Sequence, residues 1–399
     1  MPVQHAELVI IGTGMAGVGL ARALRQAGDH RSLALISQDS GDAYSKPLLS
    51  TGFAKRLPPD RLAQQKAAAL ADELDATLWT HTVVTDIDPD AGALTLRPQD
   101  TDSETAKRAH TLTFTTLVLA TGAEPRLPFS VPAEAASRCF RVNDLDDYRR
   151  FHAALGDAPA RVAIIGAGLV GCEFANDLHA GGHQVSLVAP EATPLPRLLP
   201  EAPGRALGEA FDAAGMALHL GRTPEHLGLD AEDNLAIKLD DGETLRADVA
   251  LLATGLAPRT ALAEAAGLEV VADGIVVDRT LATSHPRVYA LGDVACIDGV
   301  SAMYVQPLQA SAKALAKTLA GTPTPVRFGA WPVVVKTPLL PVVAYPPLTP
   351  PAHWQIEADG HNISALAEDE NGHLLGFALT GDCVKRKVKL SRAAPALLG

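Results

Sequence analysis

Two stretches of this 399-residue chain carry one pattern, IIGTGMAG at 10–17 and IIGAGLVG at 164–171. Each sets a Gly-x-Gly-x-x-Gly frame behind two isoleucines. Gly12 permits a tight turn out of a strand. Gly14 has no side chain, so a pyrophosphate can reach the backbone, and Gly17 lets helix and strand pack closely. Gly166, Gly168 and Gly171 repeat those roles. A helix starting at such a turn aims its first N–H groups and its positive dipole end at phosphate. The chemistry predicted is the binding of two dinucleotides.

The surrounding elements fit that chemistry. AELVIIG is a short apolar run that reads as a buried parallel strand, MAGVGLARALRQAG has helical spacing, and SLALIS reads as the next strand. RVAIIG, LVGCEFANDLHAGG and QVSLVAP repeat the strand–helix–strand order. LVLATG at 117–122 and ALLATG at 250–255 are a second matched pair, and YALGD at 289–293 closes another strand. The predicted fold is α/β: two Rossmann-like dinucleotide-binding domains, each three-layered, plus a small α+β C-terminal domain. The boundaries predicted are 1–127 with 256–326 for a discontinuous first domain, 128–255 for the second and 327–399 for the third. Residues 98–110 read as a hairpin tip or surface loop, and 128–136 and 321–332 as crossovers. The end of the chain reads as short strands closed by a last helix, KRKVKLSRAAPALLG.

Composition removes several alternatives. A net charge of −12 argues against a nucleic-acid partner. The apolar stretch PVVVKTPLLPVVAYPPL is broken by a lysine and prolines, so no membrane span is expected. The start, MPVQHAELVIIGTG, lacks the basic and cleavage regions of a signal peptide. Cys139, Cys172, Cys296 and Cys383 form no C-x-x-C pair, which argues against a metal knot or a redox disulfide. Each cysteine reads as a small buried hydrophobe, and scattered thiols fit a reducing cytoplasm.

Together the two cradles, DAYSKPLLSTGF at 42–53, IIGAGLVGCEFANDL at 164–178 and YALGD resemble the two-dinucleotide-binding flavoproteins. Within them the chain is most similar to the bacterial rubredoxin–NAD reductases, with flavorubredoxin and ferredoxin reductases next to them. The resemblance covers nearly the whole chain. It implies FAD, tightly bound, in the first unit and NADH in the second. Thr13, Gly14, Met15 and Ala16 would lie along the FAD pyrophosphate, with Ser37 and Gln38 at the adenosine ribose and Val84 at adenine. Lys46 and Pro47 would flank the flavin or its phosphates, and Thr121, Gly122 and Arg126 would close the site. Gly292 and Asp293 would meet the ribityl chain. Val305 would open a helix aimed at the flavin C2 carbonyl. On the NADH side the residues are Gly166, Gly168, Leu169, Gly171, Glu191 and Gly255. Glu191, just past the second strand of its unit, would accept from a ribose 2′-OH and repel a 2′-phosphate, and no arginine follows until Arg197. In the first unit the acidic residue, Asp39, comes one step late.

In similar enzymes a glutamate on the first turn of the second cradle's helix pairs with a lysine beside flavin N5. Glu173 holds that position. Some relatives draw the lysine from an Arg-Pro-x-Leu-Ser-Lys stretch, but here KPLLST puts Thr51 in its place. Lys336 and Lys46 remain. Lys336 is favoured, because a charge in the apolar run PVVVKTP demands a partner.

No cysteine accompanies the YSKP segment, which disfavours a water- or peroxide-forming NADH oxidase. Electrons would leave reduced FAD singly, to an external metal protein. From Lys313 onward the charge balance is +3, against −15 for the remainder, and VKRKVKLSR carries five basic residues. Rubredoxin, an acidic iron protein, would be steered to such a face near the flavin. The reading is an NADH:rubredoxin oxidoreductase acting as a monomer. Flavorubredoxin or ferredoxin reductase, and a non-enzymatic NADH-binding scaffold, are the alternatives. Whether the rubredoxin serves alkane degradation or the removal of oxygen or superoxide is left open.

Overall fold

The computed structural model describes residues 4–99 and 109–399. The strand Gln4–Ile11 begins with exposed Gln4, His5 and Glu7 and is apolar and buried on both faces from Leu8 onward, as a central parallel strand requires. It pairs in parallel with Leu33–Ile36 on one side and His110–Leu119 on the other. Ala76–Trp79 extends one edge. The antiparallel pair Thr82–Asp88 and Ala93–Pro98 extends the other. Val288–Ala290 completes this seven-stranded sheet by pairing in parallel with Leu117–Leu119. The helix Met15–Gln26 buries Val18, Leu20, Ala21 and Leu24, an apolar stripe of helical period. It packs against the helix Val305–Leu319, where Gly19 faces Ala312.

A second parallel sheet has five strands: Cys139–Phe140, Val249–Leu252, Arg161–Ile165, Gln184–Ala189 and Ala217–Leu220, in that order. An antiparallel pair, Ala123–Pro125 with Leu256–Pro258, is where the chain passes between the two units. The third sheet is antiparallel and five-stranded, ordered Val333–Val335, Val342–Tyr345, Leu374–Thr380, Asn362–Glu368 and His353–Asp359. Its alternation of side chains serves two cores. Val342, Ala344, Ala365 and Ala378 join the core of the second unit. Val343, Tyr345, Phe377 and Leu379 face the opposite way and meet Leu390 of the short helix Lys387–Ala393.

Three sequence expectations need adjustment. The last helix covers only Lys387–Ala393. Before it Gly381–Arg386 is a 3-10 turn, and after it Pro395 prevents continuation. Leu398 then turns back into the core of the first unit, exchanging main-chain hydrogen bonds of 2.8 and 3.0 Å with Phe328. The 321–332 stretch is not a bare crossover, since Val326 and Phe328 are buried in that same core. Cys172 and Cys296 are buried hydrophobes, but Cys139 and Cys383 are half-buried. The surface loop read at 98–110 falls mainly on 100–108, outside the described residues.

Candidate active site

A cavity of about 940 Å³ runs from the first glycine cradle to the third sheet. At the cradle, a Cβ on Gly17 would stand 1.9 Å from the carbonyl oxygen of Gly12, whereas one on Gly14 would meet nothing within 4 Å. Gly17 therefore serves the helix–strand contact and Gly14 leaves room for a ligand. No side chain caps the helix that starts at Met15, so its first N–H groups open toward the cavity that Thr13, Gly14, Met15 and Ala16 line. Beside them Thr13 Oγ1 donates to Ser37 Oγ at 2.7 Å. Ser37 in turn donates to Asp39, whose Oδ1 also accepts from Gly41 N–H at 2.9 Å. The late acidic residue thus stands behind Ser37 and orients its hydroxyl. Gln38 and Val84 line the same end.

Further along, Lys46 Nζ donates to Asn143 Oδ1 at 2.7 Å, and Asn143 Nδ2 donates to the carbonyl of Ala123 at 2.9 Å. Burial pushes the Lys46 ammonium below its ordinary pKa. Burial also raises the carboxyl of Asp293, against the opposing pull of Lys46. Thr121, Gly122 and Val305 line the cavity here, and no side chain caps the helix that Val305 opens. Arg126 does not reach the cavity: it is exposed at the passage between units, its N–H bonded to Gly255 O at 2.9 Å. The arginine that does line the wall is Arg259, which sequence proximity to the cradle could not reveal. Gly292 is also set back, packed so closely on Ala16 that a Cβ would come within 2.8 Å of it.

At the far end the helix Leu169–Ala180 is buried without interruption from Gly171 to Leu178, so it is wedged between units rather than lying on a surface. Glu173 starts the second turn of this helix, not the first. Lys336 Nζ lies 2.6 Å from Glu173 Oε2. The same ammonium donates to Pro47 O and Ser50 Oγ, each at 2.6 Å. All three of its protons are thereby engaged. Ser50 Oγ donates to Glu173 Oε2 at 2.9 Å, and Lys336 N–H to Glu173 Oε1 at 3.1 Å. Lys46 stands apart from this pair. Thr51 is turned into its own loop, donating to Leu48 O at 2.9 Å, and the residue that meets Lys336 is its neighbour Ser50. Pro47, Ser50, Glu173 and Lys336 all line the cavity, and none of the four cysteines does.

The second cradle repeats the first. A Cβ on Gly171 would lie 1.9 Å from Gly166 O, while one on Gly168 would be unopposed. Its helix also lacks a side-chain cap, and Leu169 and Val170 project from that helix's start into the cavity wall. Gly255 follows the neighbouring strand with φ +105°, which only glycine adopts freely. Glu191 is exposed just beyond Gln184–Ala189, its carbonyl accepting from Gly221 N–H at 3.0 Å. Folding brings Arg222 to this tip, where its N–H bonds Ala189 O at 2.9 Å, but Asp241 holds its guanidinium at 2.6 Å.

These residues fit a dinucleotide flavin: an open glycine turn, uncapped helix starts and a polar wall continue into a cation–carboxylate pair. The comparisons agree. Residues 6–315 match the pyridine nucleotide-disulphide oxidoreductase model, and 325–394 match the rubredoxin binding C-terminal domain model. The chain is 41% identical to a rubredoxin-NAD(+) reductase of Alcanivorax borkumensis, covering 98% of this chain and 99% of that one. It is 34% identical to a nitric oxide reductase FlRd-NAD(+) reductase of Vibrio vulnificus, over 96% and 97%. A ferredoxin reductase of Rhodopseudomonas palustris superposes with a TM-score of 0.82 at 26% identity, over 98% and 95%. A two-cradle fold, an FAD- and NAD(H)-type site and a matched C-terminal module thus converge, and the chain belongs to the pyridine nucleotide-disulphide oxidoreductase family, in the branch whose third domain is of the rubredoxin-binding type.

Proposed function

We propose that this protein is an NADH:rubredoxin oxidoreductase, with the first unit (1–127 and 256–326) holding FAD, 128–255 receiving NADH and 327–399 contributing to acceptor docking. The observation that carries the reading is that Lys336, from the domain matched to rubredoxin binding, reaches into the cavity and pairs with Glu173 of the second cradle's helix. One ion pair thus links the hydride-donor unit, the flavin pocket and the acceptor-docking module. Bound there, FAD supplies the exchange between a two-electron hydride donor and a one-electron acceptor.

The chain's own residues bind, align and tune. Thr13 to Ala16 and the uncapped helix start take the pyrophosphate, while Thr13 and Ser37 present hydroxyl oxygens to the adenosine ribose, Ser37 being oriented by Asp39. Lys46 and Asp293 sit at the level of the ribityl chain. Lys336, held by Glu173, Ser50 and Pro47, places a fixed positive charge on the wall where negative charge develops on reduction. Leu169 and Val170 narrow the entry through which the nicotinamide approaches. Glu191 favours NADH over NADPH, since a 2′-phosphate would face its carboxylate and Arg222 is already occupied by Asp241. With no cysteine on the cavity wall, the electrons pass directly to the partner. We further propose a cytoplasmic monomer. Among the described residues, no helix is long and apolar enough to cross a membrane.

The test is anaerobic stopped flow: NADH should bleach the flavin rapidly, and rubredoxin should reoxidise it faster than a [2Fe–2S] ferredoxin does. Slow bleaching with a persistent charge-transfer band would instead indicate a binding scaffold. The 34% identity to a FlRd-NAD(+) reductase makes flavorubredoxin the second acceptor to try.

A further inference from the structure

Glu173 is not the only buried polar side chain on its helix. Asn176 and Asp177 follow one turn later, only 4% and 3% exposed. Each accepts from the main chain of a different segment. Asp177 Oδ2 and Oδ1 take the N–H groups of Phe53 and Ala54, at 3.1 and 2.9 Å. Asn176 Oδ1 takes the N–H of Leu339 at 3.1 Å. Phe53 and Ala54 end the strap whose Pro47 carbonyl and Ser50 hydroxyl hold the Lys336 ammonium. Leu339 lies in the turn that follows Lys336 itself. Strap and turn are therefore each tied to this helix twice, once through Glu173 and once a turn further on.

A carboxylate this deeply buried is costly, and burial pushes the Asp177 carboxyl above its ordinary range. No cation stands within ion-pair distance of it among the described residues, and the Lys336 and Lys55 charges offset the burial only from further off. Simple adhesion between apolar surfaces does not need such a group. Two directed acceptors do fix a strap in register, and the contacts at stake are short. A shift of about 1 Å in the strap would carry the Lys336 contacts beyond hydrogen-bond range.

We propose that Asn176 and Asp177 are positioning residues of the hydride-transfer site: from one turn beyond Glu173 they fix the strap and the turn that together hold the Lys336 ammonium in the cavity wall. The proposal rests on the reading of Lys336 given above. It is tested on the purified holoprotein by measuring the flavin midpoint potential by dye equilibration, beside the NADH dependence of flavin bleaching. The variants are Lys336→Met, Asp177→Asn, Asn176→Leu and the two doubles with Lys336→Met. Lys336→Met should make the potential more negative, because a nearby positive charge stabilises the reduced, anionic flavin. Asn176→Leu, which changes no charge, should shift it in the same direction by less; Asp177→Asn also removes a negative charge near Lys336, so it is read by its rate. Their limiting bleaching rates should fall about threefold to tenfold, with the apparent NADH affinity within about twofold of the parent. Both doubles should match Lys336→Met alone in rate, and the Asn176 double in potential as well. Parent-like rates in both single variants and a parent-like potential in Asn176→Leu, with only a lowered Tm, overturn the proposal, as do doubles whose rate losses add to that of Lys336→Met. A Lys336→Met protein with the parent's potential overturns the reading of Lys336, and this proposal with it. Asn176 and Asp177 act on different segments, so either variant carries the test if the other folds poorly.

Discussion

At the scale of single residues, each cradle sets two glycines in opposite circumstances, and substitution should separate them. Gly14→Ala puts a methyl group into open space, so the apoprotein should keep its Tm while FAD affinity, read by fluorescence titration, falls at least about tenfold. Gly17→Ala drives a methyl group onto the Gly12 carbonyl and should cost the apoprotein about 1–3 kcal/mol. Gly168→Ala should weaken NADH binding and leave FAD content unchanged. Ser50 is the other informative residue. Ser50→Ala takes one acceptor from Lys336 and one donor from Glu173, a loss worth about 1–2 kcal/mol. Flavin bleaching by NADH should slow by about fivefold to thirtyfold if that loss falls on the transition state.

Between elements, the clearest lock on the second sheet is ionic. Asp248 accepts from Arg161 N–H at 2.7 Å and from its guanidinium at 2.6 Å, fastening Arg161–Ile165 to the strand that follows Asp248. The side-chain hydrogen bond from Arg161 holds the Asp248 carboxyl below its ordinary pKa. The unfolded chain then binds that proton more readily than the folded one. The pair's stabilisation is present above the unfolded value and is lost as pH falls through the folded one. Asp248→Asn should lower Tm at pH 7, and its deficit against the parent should shrink as pH drops below about 4. The elements themselves were readable because local rules write them: continuous apolar strands, helical stripes and glycine turns. Lys336 was readable because a cation within an apolar run demands a partner, although the strand itself ends at Val335. Ser50, Asn143, Asn176, Asp177 and Arg259 were not, since each acts through a partner far along the chain that no local period encodes. The last helix was read too long because its basic residues suit a helix, while Leu398 answers to a core far from it in sequence.

Over the whole molecule, charge is unevenly spread, and folding has already used part of the basic tail. Lys385 pairs with Asp382 and Arg386 with Glu357. Lys387, Lys389 and Arg392 carry no ion pair among the described residues, and the helix they ride covers the sheet face to which Val334, at the cavity rim, also belongs. Rubredoxin turnover should fall as ionic strength rises, and reversing Lys387 and Lys389 to glutamate should raise its apparent KM severalfold while NADH bleaching stays unchanged. Salt-independent turnover would place docking elsewhere. The pairing of Val288–Ala290 with Leu117–Leu119 has a different kind of consequence, in the order of synthesis. A ribosome adding about 5–20 residues per second needs roughly 10–35 s to supply the final strand after its neighbour. During that interval one edge of the first sheet has no partner, and the second unit, though its own strands have emerged, still waits for Val342, Ala344, Ala365 and Ala378 to complete its core. Both units thus depend on segments made late, and with FAD in the first unit, as proposed above, its incorporation should lag behind translation of residue 290.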